Sequence, residues 1–186
     1  MPRAPVSRKS GSRKAASRPA AGPPSPPRPP GGRRCWLLKS EPSVFSIGDL
    51  AKAKGRTTRW EGVRNYQARN LLRDEVKPGD LALFWHSSAT PSGAAGICEV
   101  VREAYPDPTQ FDPESEFHDP GSPREAPRWL CVDVRLVRAF PRVVPLEEIR
   151  ARPDLAGMDV LRRGNRLSVQ RVKPAEFDAV VAMAEA

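Results

Sequence analysis

Large apolar side chains are all but absent from the first 34 positions and abundant after them. That boundary constrains the fold more than any other feature of the chain. Before Arg34 the only large apolar residues are Met1 and Val6, set among nine prolines, five serines and four glycines. Such a segment gains too little from burial to offset the entropy lost on ordering, so residues 1–34 are expected to form a disordered arm. Within it, Gly22–Pro30 favours extended polyproline geometry. Whatever folds must lie in residues 35–186, which is enough chain for one ordinary domain with a sizeable core.

The same boundary divides the charge. The chain carries 31 Lys and Arg against 22 Asp and Glu, a formal net charge of +9. Nine of the bases (Arg3, Arg8, Lys9, Arg13, Lys14, Arg18, Arg28, Arg33 and Arg34) and no acid fall in the arm, so the domain is neutral. A basic arm attracts phosphate backbones through counterion release or serves as a localisation signal; it reads equally as a solvated extension. No run approaches the roughly 18 apolar residues of a membrane span, and the N-terminus lacks the apolar stretch of a secretory signal, so no membrane partner is expected. Cys35, Cys98 and Cys131 lie far apart and the chain has two His. They read as buried thiols in a reducing compartment, with no metal and no cofactor expected. A bacterial host, the favoured reading, makes the chain cytoplasmic; a eukaryotic one makes the arm a nuclear-import candidate.

Cys35–Lys39 is a short apolar run before the turn Ser40-Glu41-Pro42 and predicts a buried first strand. Ser46-Ile-Gly-Asp49 resembles a capping box opening a helix to about Lys54. Asn65 can cap a second helix with an apolar stripe of Ala68, Leu71, Leu72 and Val76. Leu81–His86, apolar on both faces, predicts a central strand, and Gly96–Tyr105 another. Residues 105–127 hold prolines at 106, 108, 113, 120, 123 and 127 and predict an irregular loop, of a length that is often functional. Trp129–Phe140 alternates cleanly as a strand; Pro145 and Pro153 bracket a short helix. Leu167–Val172 predicts the last strand, and Pro174 opens a helix with Phe177, Val180, Val181 and Ala184 on one face. The pattern predicts an α+β domain with a curled or barrel-like sheet and peripheral helices.

No P-loop, GxGxxG, HExxH or GxSxG motif appears. Three polar clusters beside element ends remain. Lys39-Ser-Glu41 offers donors and an acceptor to a small polar ligand, or a turn with a surface ion pair. In Trp60–Asn70, Trp60 and Tyr66 offer faces on which a planar base stacks, and Gly62 permits close approach. Asn65 and Gln67 can pair with a base edge, and Arg64 and Arg69 can reach phosphates. The same stretch also reads as a capped helix with a core Trp and solvated arginines. His86-Ser-Ser88 puts polar groups at the sheet's rim, where a structural histidine is the commoner case. Asp133 and Arg135 share a strand face with Trp129, as an ion pair or with Asp133 aimed into a cavity.

In this order the clusters resemble the EVE domain family. The matching stretches include Trp36-Leu-Leu-Lys-Ser-Glu-Pro42, the whole of Trp60–Asn70, Phe84-Trp-His-Ser87, Glu103–Phe111, Arg128-Trp129, Val132-Asp-Val134 and Leu167-Ser-Val-Gln170, and the likeness covers essentially all of 35–186. The resemblance implies a PUA-like incomplete β-barrel with peripheral short helices. It implies a non-enzymatic reader of a modified base, 5-methylcytosine or 5-hydroxymethylcytosine in DNA, flipped into an aromatic pocket. Carried over by position, that pocket draws on Lys39, Ser40, Glu41, Trp60, Gly62, Val63, Arg64, Asn65, Tyr66, Gln67, His86, Ser87 and Ser168, with Trp36 or Tyr66 expected to stack beside Trp60. The expected partner is nucleic acid with modified bases, DNA before RNA, and a separate nuclease or other effector protein would supply any cleavage. Two alternatives stand beside this reading: a PUA-type RNA-binding module in tRNA or rRNA metabolism, and a nucleotide-acting hydrolase using Glu41, His86 and Asp133.

Overall fold

A computed structural model describes residues 32–186; nearly all of the expected arm lies outside the described residues. Six strands form one mixed sheet. In chain order they are β1 (Cys35–Ser40), β2 (Thr57–Trp60), β3 (Leu81–His86), β4 (Gly93–Pro106), β5 (Leu130–Pro145) and β6 (Val169–Val172). Helices α1 (Ile47–Lys52), α2 (Tyr66–Asp74), α3 (Leu146–Arg150) and α4 (Pro174–Glu185) cover it. The spatial order is β2-β5-β4-β3-β1-β6, with β1 and β3 parallel and the other neighbours antiparallel. This order has two free ends, so the sheet curls without closing into a barrel, as the incomplete barrel expected from the sequence requires.

Strand alternation sorts the core into two layers. Trp36, Leu38, Phe84, Val100, Val132 and Val134 meet α2 on one face. Leu37, Leu83, Trp85, Ile97 and Val144 meet α3 and α4 on the other. Burial on both faces is why β1 and β3 read as continuous apolar runs. The pairing of β4 with β5 shifts register four times, and β3 with β4 once, between Phe84 and Trp85. Such bulges bend long strands and supply the curl. Close approach at the bend demands a glycine: a Cβ on Gly96 would stand 2.6 Å from the Arg138 carbonyl oxygen.

Most expected elements are present. Ser46 and Asp49 form the capping box of α1, and the Asn65 side chain caps α2 by accepting from the amides of Gln67 and Ala68. Phe177, Val180 and Ala184 of α4 are buried. The differences lie in extent. β2 has no counterpart in the sequence reading, β4 starts at Gly93 rather than Gly96, and β6 starts at Val169 rather than Leu167. β5 continues past Phe140 to Pro145, because its outer half still pairs with β4 as far as Gly93↔Pro145. Pro145 is therefore the cap of α3 and not its first residue. Asp133 and Arg135 pair across strands and not with each other: Arg135 with Glu99 at 2.9 Å, and Asp133 with Arg102 at 3.8 Å and the Tyr105 hydroxyl at 2.5 Å.

The long loop is irregular yet tied down. Gln110 is fully buried and its amide donates to the carbonyls of Asp107 and Trp129. Asp119 accepts from the Trp129 indole and from Arg128, both at 2.7 Å.

Candidate functional site

The open sheet leaves a gap between its edges, and the gap holds a groove of about 830 Å³. One side is the end of β2, with Thr58, Arg59 and Trp60, continued by Glu61, Gly62 and Val63. The other is the end of β1, with Lys39, Ser40 and Glu41, together with Asn165, Arg166 and Ser168 ahead of β6. Backbone pairing fixes this second side, since the Lys39 amide donates to the Ser168 carbonyl at 2.9 Å.

Trp60 forms an aromatic floor. Only 6% exposed, it packs edge-on against Phe84 with ring centroids 5.3 Å apart. Phe117, delivered by the long loop, forms a wall against Gly62. Gly62 has φ +78°, and a Cβ there would fall 2.7 Å from the Phe117 ring, so both the turn and the packing demand glycine.

The loop is pinned by Arg64. Its Nε and Nη2 donate to the Phe117 carbonyl, its Nη1 to Asp107 at 2.8 Å and its Nη2 to the Thr109 hydroxyl at 2.9 Å. Asp107, wholly buried, also accepts from the Gly62 amide at 2.9 Å and from the amide and hydroxyl of Thr109. Burial alone would raise its pKa, but the hydrogen bonds from Thr109, Arg64 and Gly62 outweigh it and hold the carboxyl below the usual range.

Polar groups ring the opening. Ser40 Oγ donates to the Phe45 carbonyl at 2.7 Å, and Ser87 donates through its amide and hydroxyl to the Ser40 carbonyl. Ser88 Oγ donates to Glu41 at 3.0 Å. Lys39 Nζ reaches the Asn165 carbonyl at 3.4 Å, and burial lowers its pKa. The charged lining residues are Lys39, Arg59 and Arg166 against Glu41, Glu61 and Glu116, so the groove is neutral in sum.

Of the residues expected at a pocket, the structure gathers Lys39, Ser40, Glu41, Trp60, Gly62, Val63, Ser87 and Ser168. It places the others elsewhere. Trp36 lies in the core with its indole donating to Asp80 at 3.0 Å and offers no stacking face. Asn65 spends its side-chain oxygen on the α2 cap, and Gln67 is exposed on that helix away from the groove lining. Tyr66, half exposed, packs in a tilted pair on Trp129 with ring centroids 4.9 Å apart, and the Arg69 guanidinium lies 4.9 Å from its ring centroid. The His86 Nε2 accepts from the Ile47 amide at 3.1 Å, and burial lowers its pKa. Both residues expected to contact phosphate are engaged within the protein. Arg64 is turned inward, and Arg69 is held by the Arg128 carbonyl, the Asn70 side chain and the Tyr66 ring. Asp133, engaged on β5, does not join Glu41 at the groove. Sequence reasoning placed Ser88 at the sheet's rim without assigning it to the pocket, and missed Phe45, Arg59, Glu61, Phe117, Asn165 and Arg166 among others; the length of the long loop was the one signal that pointed toward Phe117.

Comparison with known proteins gives the family and the fold. The family model described as "EVE domain" matches residues 34–183. Thymocyte nuclear protein 1 of Gallus gallus is 44% identical over 167 residues, covering 81% of this chain and 68% of that protein. The Homo sapiens protein of the same name is 41% identical, covering 81% of this chain and 73% of its own length. Among solved structures, a hypothetical protein from Leishmania major matches with a TM-score of 0.79 and 44% identity, covering 83% of this chain and 96% of that one. The human THYN1 protein in complex with 5-methylcytosine-containing DNA matches with a TM-score of 0.77 and 41% identity, covering 82% and 98%.

Proposed function

The chain belongs to the EVE domain family, and from that premise we propose that it binds DNA and reads a modified cytosine flipped into the groove between its sheet edges. The observation that carries this reading is the groove itself: an aromatic floor at Trp60, an aromatic wall at Phe117 and a rim whose charges cancel. A neutral planar ring suits such a site better than a charged metabolite. Stacking contributes roughly 1–3 kcal/mol per base, which offsets the few kcal/mol needed to extract one. Rim groups with capacity to spare, the Lys39 ammonium and the second oxygen of Glu41, supply a donor and an acceptor for the base edge. The structural relative bound to 5-methylcytosine-containing DNA supports the choice of DNA and of a methylated pyrimidine. In this reading the protein binds and does not turn over its ligand, and an effector protein would act on what it marks.

The test is a titration of the full chain with duplex oligonucleotides that differ only in one 5-methyl- or 5-hydroxymethylcytosine. The expected result is tighter binding of a modified duplex, with the preference lost in Phe117→Ala while thermal unfolding stays near that of the parent. Equal affinity for modified and unmodified duplexes overturns the modified-base reading. Stronger binding of structured RNA in competition moves the assignment to RNA.

A further inference from the structure

A groove with no net charge leaves unanswered what holds the sugar–phosphate chain. Arg64 and Arg69 are committed internally, so the grip must lie elsewhere. Across much of the surface, exposed arginines are paired with acids: Arg73 with Asp74, Arg135 with Glu99, Arg138 with Glu185, Arg142 with Glu148, Arg150 with Glu147 and Arg152 with Asp154. Arg33, Lys52 and Arg124 are exposed without an ion pair among the described residues, but two short turns each set at least two such cations close together. In one, Lys54 and Arg56 are exposed; in the other, Arg163 and Arg166 are. None of the four has an ion pair or side-chain hydrogen bond among the described residues.

Their positions are the second observation. The sheet order puts β2 at one edge and β6 at the other, and the groove lies between them. Arg56 directly precedes β2, two residues before the groove-lining Thr58, or about 7 Å along an extended strand. Arg166 lines the opposite lip. Its turn is held in shape by Asn165, whose Nδ2 donates to the Asp159 carbonyl at 2.8 Å and whose Oδ1 accepts from the Leu167 amide at 3.1 Å. On the remaining rim Lys39 and Arg59 are matched in number by Glu41 and Glu61, with Glu116 in excess, so the unpaired cations of the two turns are the better resting places for phosphate.

We propose that the basic turns 52–56 and 162–166 form a phosphate clamp that grips the DNA backbone on both sides of the nucleotide read. The clamp rests on the groove being a DNA-reading site. It supplies affinity and orientation, whereas the aromatic groove supplies choice of base. The Lys54–Arg56 pair and the Arg163–Arg166 pair each account for about two phosphates and about 1.8 units of the slope of log affinity against log salt, at roughly 0.9 per phosphate.

The test uses the full chain and the methylated and unmethylated duplexes between about 50 and 200 mM salt. Three double variants are compared, each changing the charge equally: Lys54→Glu with Arg56→Glu, Arg163→Glu with Arg166→Glu, and Arg150→Glu with Arg152→Glu as a control away from the groove. The first two are expected to weaken binding of both duplexes alike, about tenfold or more, and to flatten the salt slope by about 1.8; the control should change affinity less than threefold. Clamp variants that bind within threefold of the parent, or a control that weakens as much as they do, overturn the clamp and leave the reading of the groove standing. Loss of base preference with an unchanged salt slope also overturns the clamp, because the turns would then be reading the base. A parent chain that binds neither duplex overturns both.

Discussion

Two charged cavities flank β1, and they differ in how their charges are used. The groove between the sheet edges sets Arg166, without a partner among the described residues, beside an aromatic floor and wall. The other cavity, a cleft of about 490 Å³, spends every lining charge but that of Arg33 on internal pairs among Arg34, Glu75, Asp159, Arg162, Arg171, Lys173 and Glu176. Glu75, 7% exposed, takes Arg34 at 2.8 Å and Arg171 in a still shorter contact, while Lys173 holds Glu176 at 3.0 Å. That network ties the root of β1 to the end of α2 and to β6. A cavity lined by charge is therefore no guide to ligand binding until each charge has been matched with its partner. Here the cleft serves the fold and the groove offers unspent chemistry.

The sharpest way to break this contrast is Glu75→Ala. Removing the carboxylate takes an ion-pair partner from two arginines, one of them only 18% exposed. Because Arg171 is better solvated, the loss should sit at the low end for a buried pair, about 3 kcal/mol, with Tm lower by about 10 °C. Thermal unfolding measures the first effect, and oligonucleotide titration below the new Tm should show base preference unchanged. A variant that keeps its stability but loses preference would reverse the roles assigned to the two cavities.

Asp107→Asn carries the comparison to the groove's support. Asn presents an NH₂ where the carboxylate now accepts from Arg64, Gly62 and Thr109, so about 2 kcal/mol should be lost, and DNA affinity with it as Phe117 comes loose. The parent also has a pH signature. The folded carboxyl has a lowered pKa and binds a proton less readily than the unfolded one. Its stabilisation is complete above about pH 4 and is lost as the pH falls through the folded value. Acid unfolding of the parent below pH 4 should be steeper than that of Asp107→Asn; equal steepness would remove Asp107 as the support.

How much of this was legible in the sequence depends on the range of the forces involved. β1, β3, α2 and α4 announce themselves because alternation, capping and helical stripes are local. β2 does not, since Thr-Thr-Arg-Trp has no pattern of its own and is a strand because it pairs with Val132–Arg135. The Trp60–Asn70 stretch shows the same division inside one motif. Its first four residues line the groove, three of them (Trp60, Gly62 and Val63) named in the sequence reading and Glu61 not. The arginines that looked like phosphate contacts are turned inward by partners far along the chain: Asp107, Phe117 and Arg128. No spacing rule within the motif foretells that. Phe117 was hidden for the same reason, because Arg64 places it through a loop without regular structure.

Gly62→Ala tests the fit of floor and wall with a smaller expected effect. A side chain at φ +78° is strained, and its Cβ would meet the Phe117 ring at 2.7 Å. The combined cost should be about 1–2 kcal/mol, with weakened preference for the modified duplex as the ring is displaced. In Phe117→Ala the clash disappears and only the backbone strain remains. The double variant should therefore be less destabilised than the sum of the single ones, by about 0.5–1 kcal/mol in urea unfolding. Strict additivity would mean that Phe117 does not stand against Gly62.

The smallest effect belongs to His86, which separates rim from support most finely. The Ile47 amide at the start of α1 has no partner within the helix and donates to His86 Nε2, which must then be unprotonated. Burial lowers the pKa of His86 and disfavours the imidazolium in the fold. The unfolded chain therefore takes up the proton first as the pH falls. Stability attributable to His86 is complete above about pH 6.5 and declines as the pH drops through that value toward the folded one. His86→Gln keeps an acceptor of similar reach but does not titrate, so its stability should stay flat between about pH 5 and 7 where that of the parent slopes downward by less than about 1 kcal/mol. Base preference measured at pH 7.5 should match the parent, because His86 supports α1 behind the rim and does not line the groove. A loss of preference in His86→Gln with unchanged stability would move His86 into the reading site and shift the boundary drawn between the two roles.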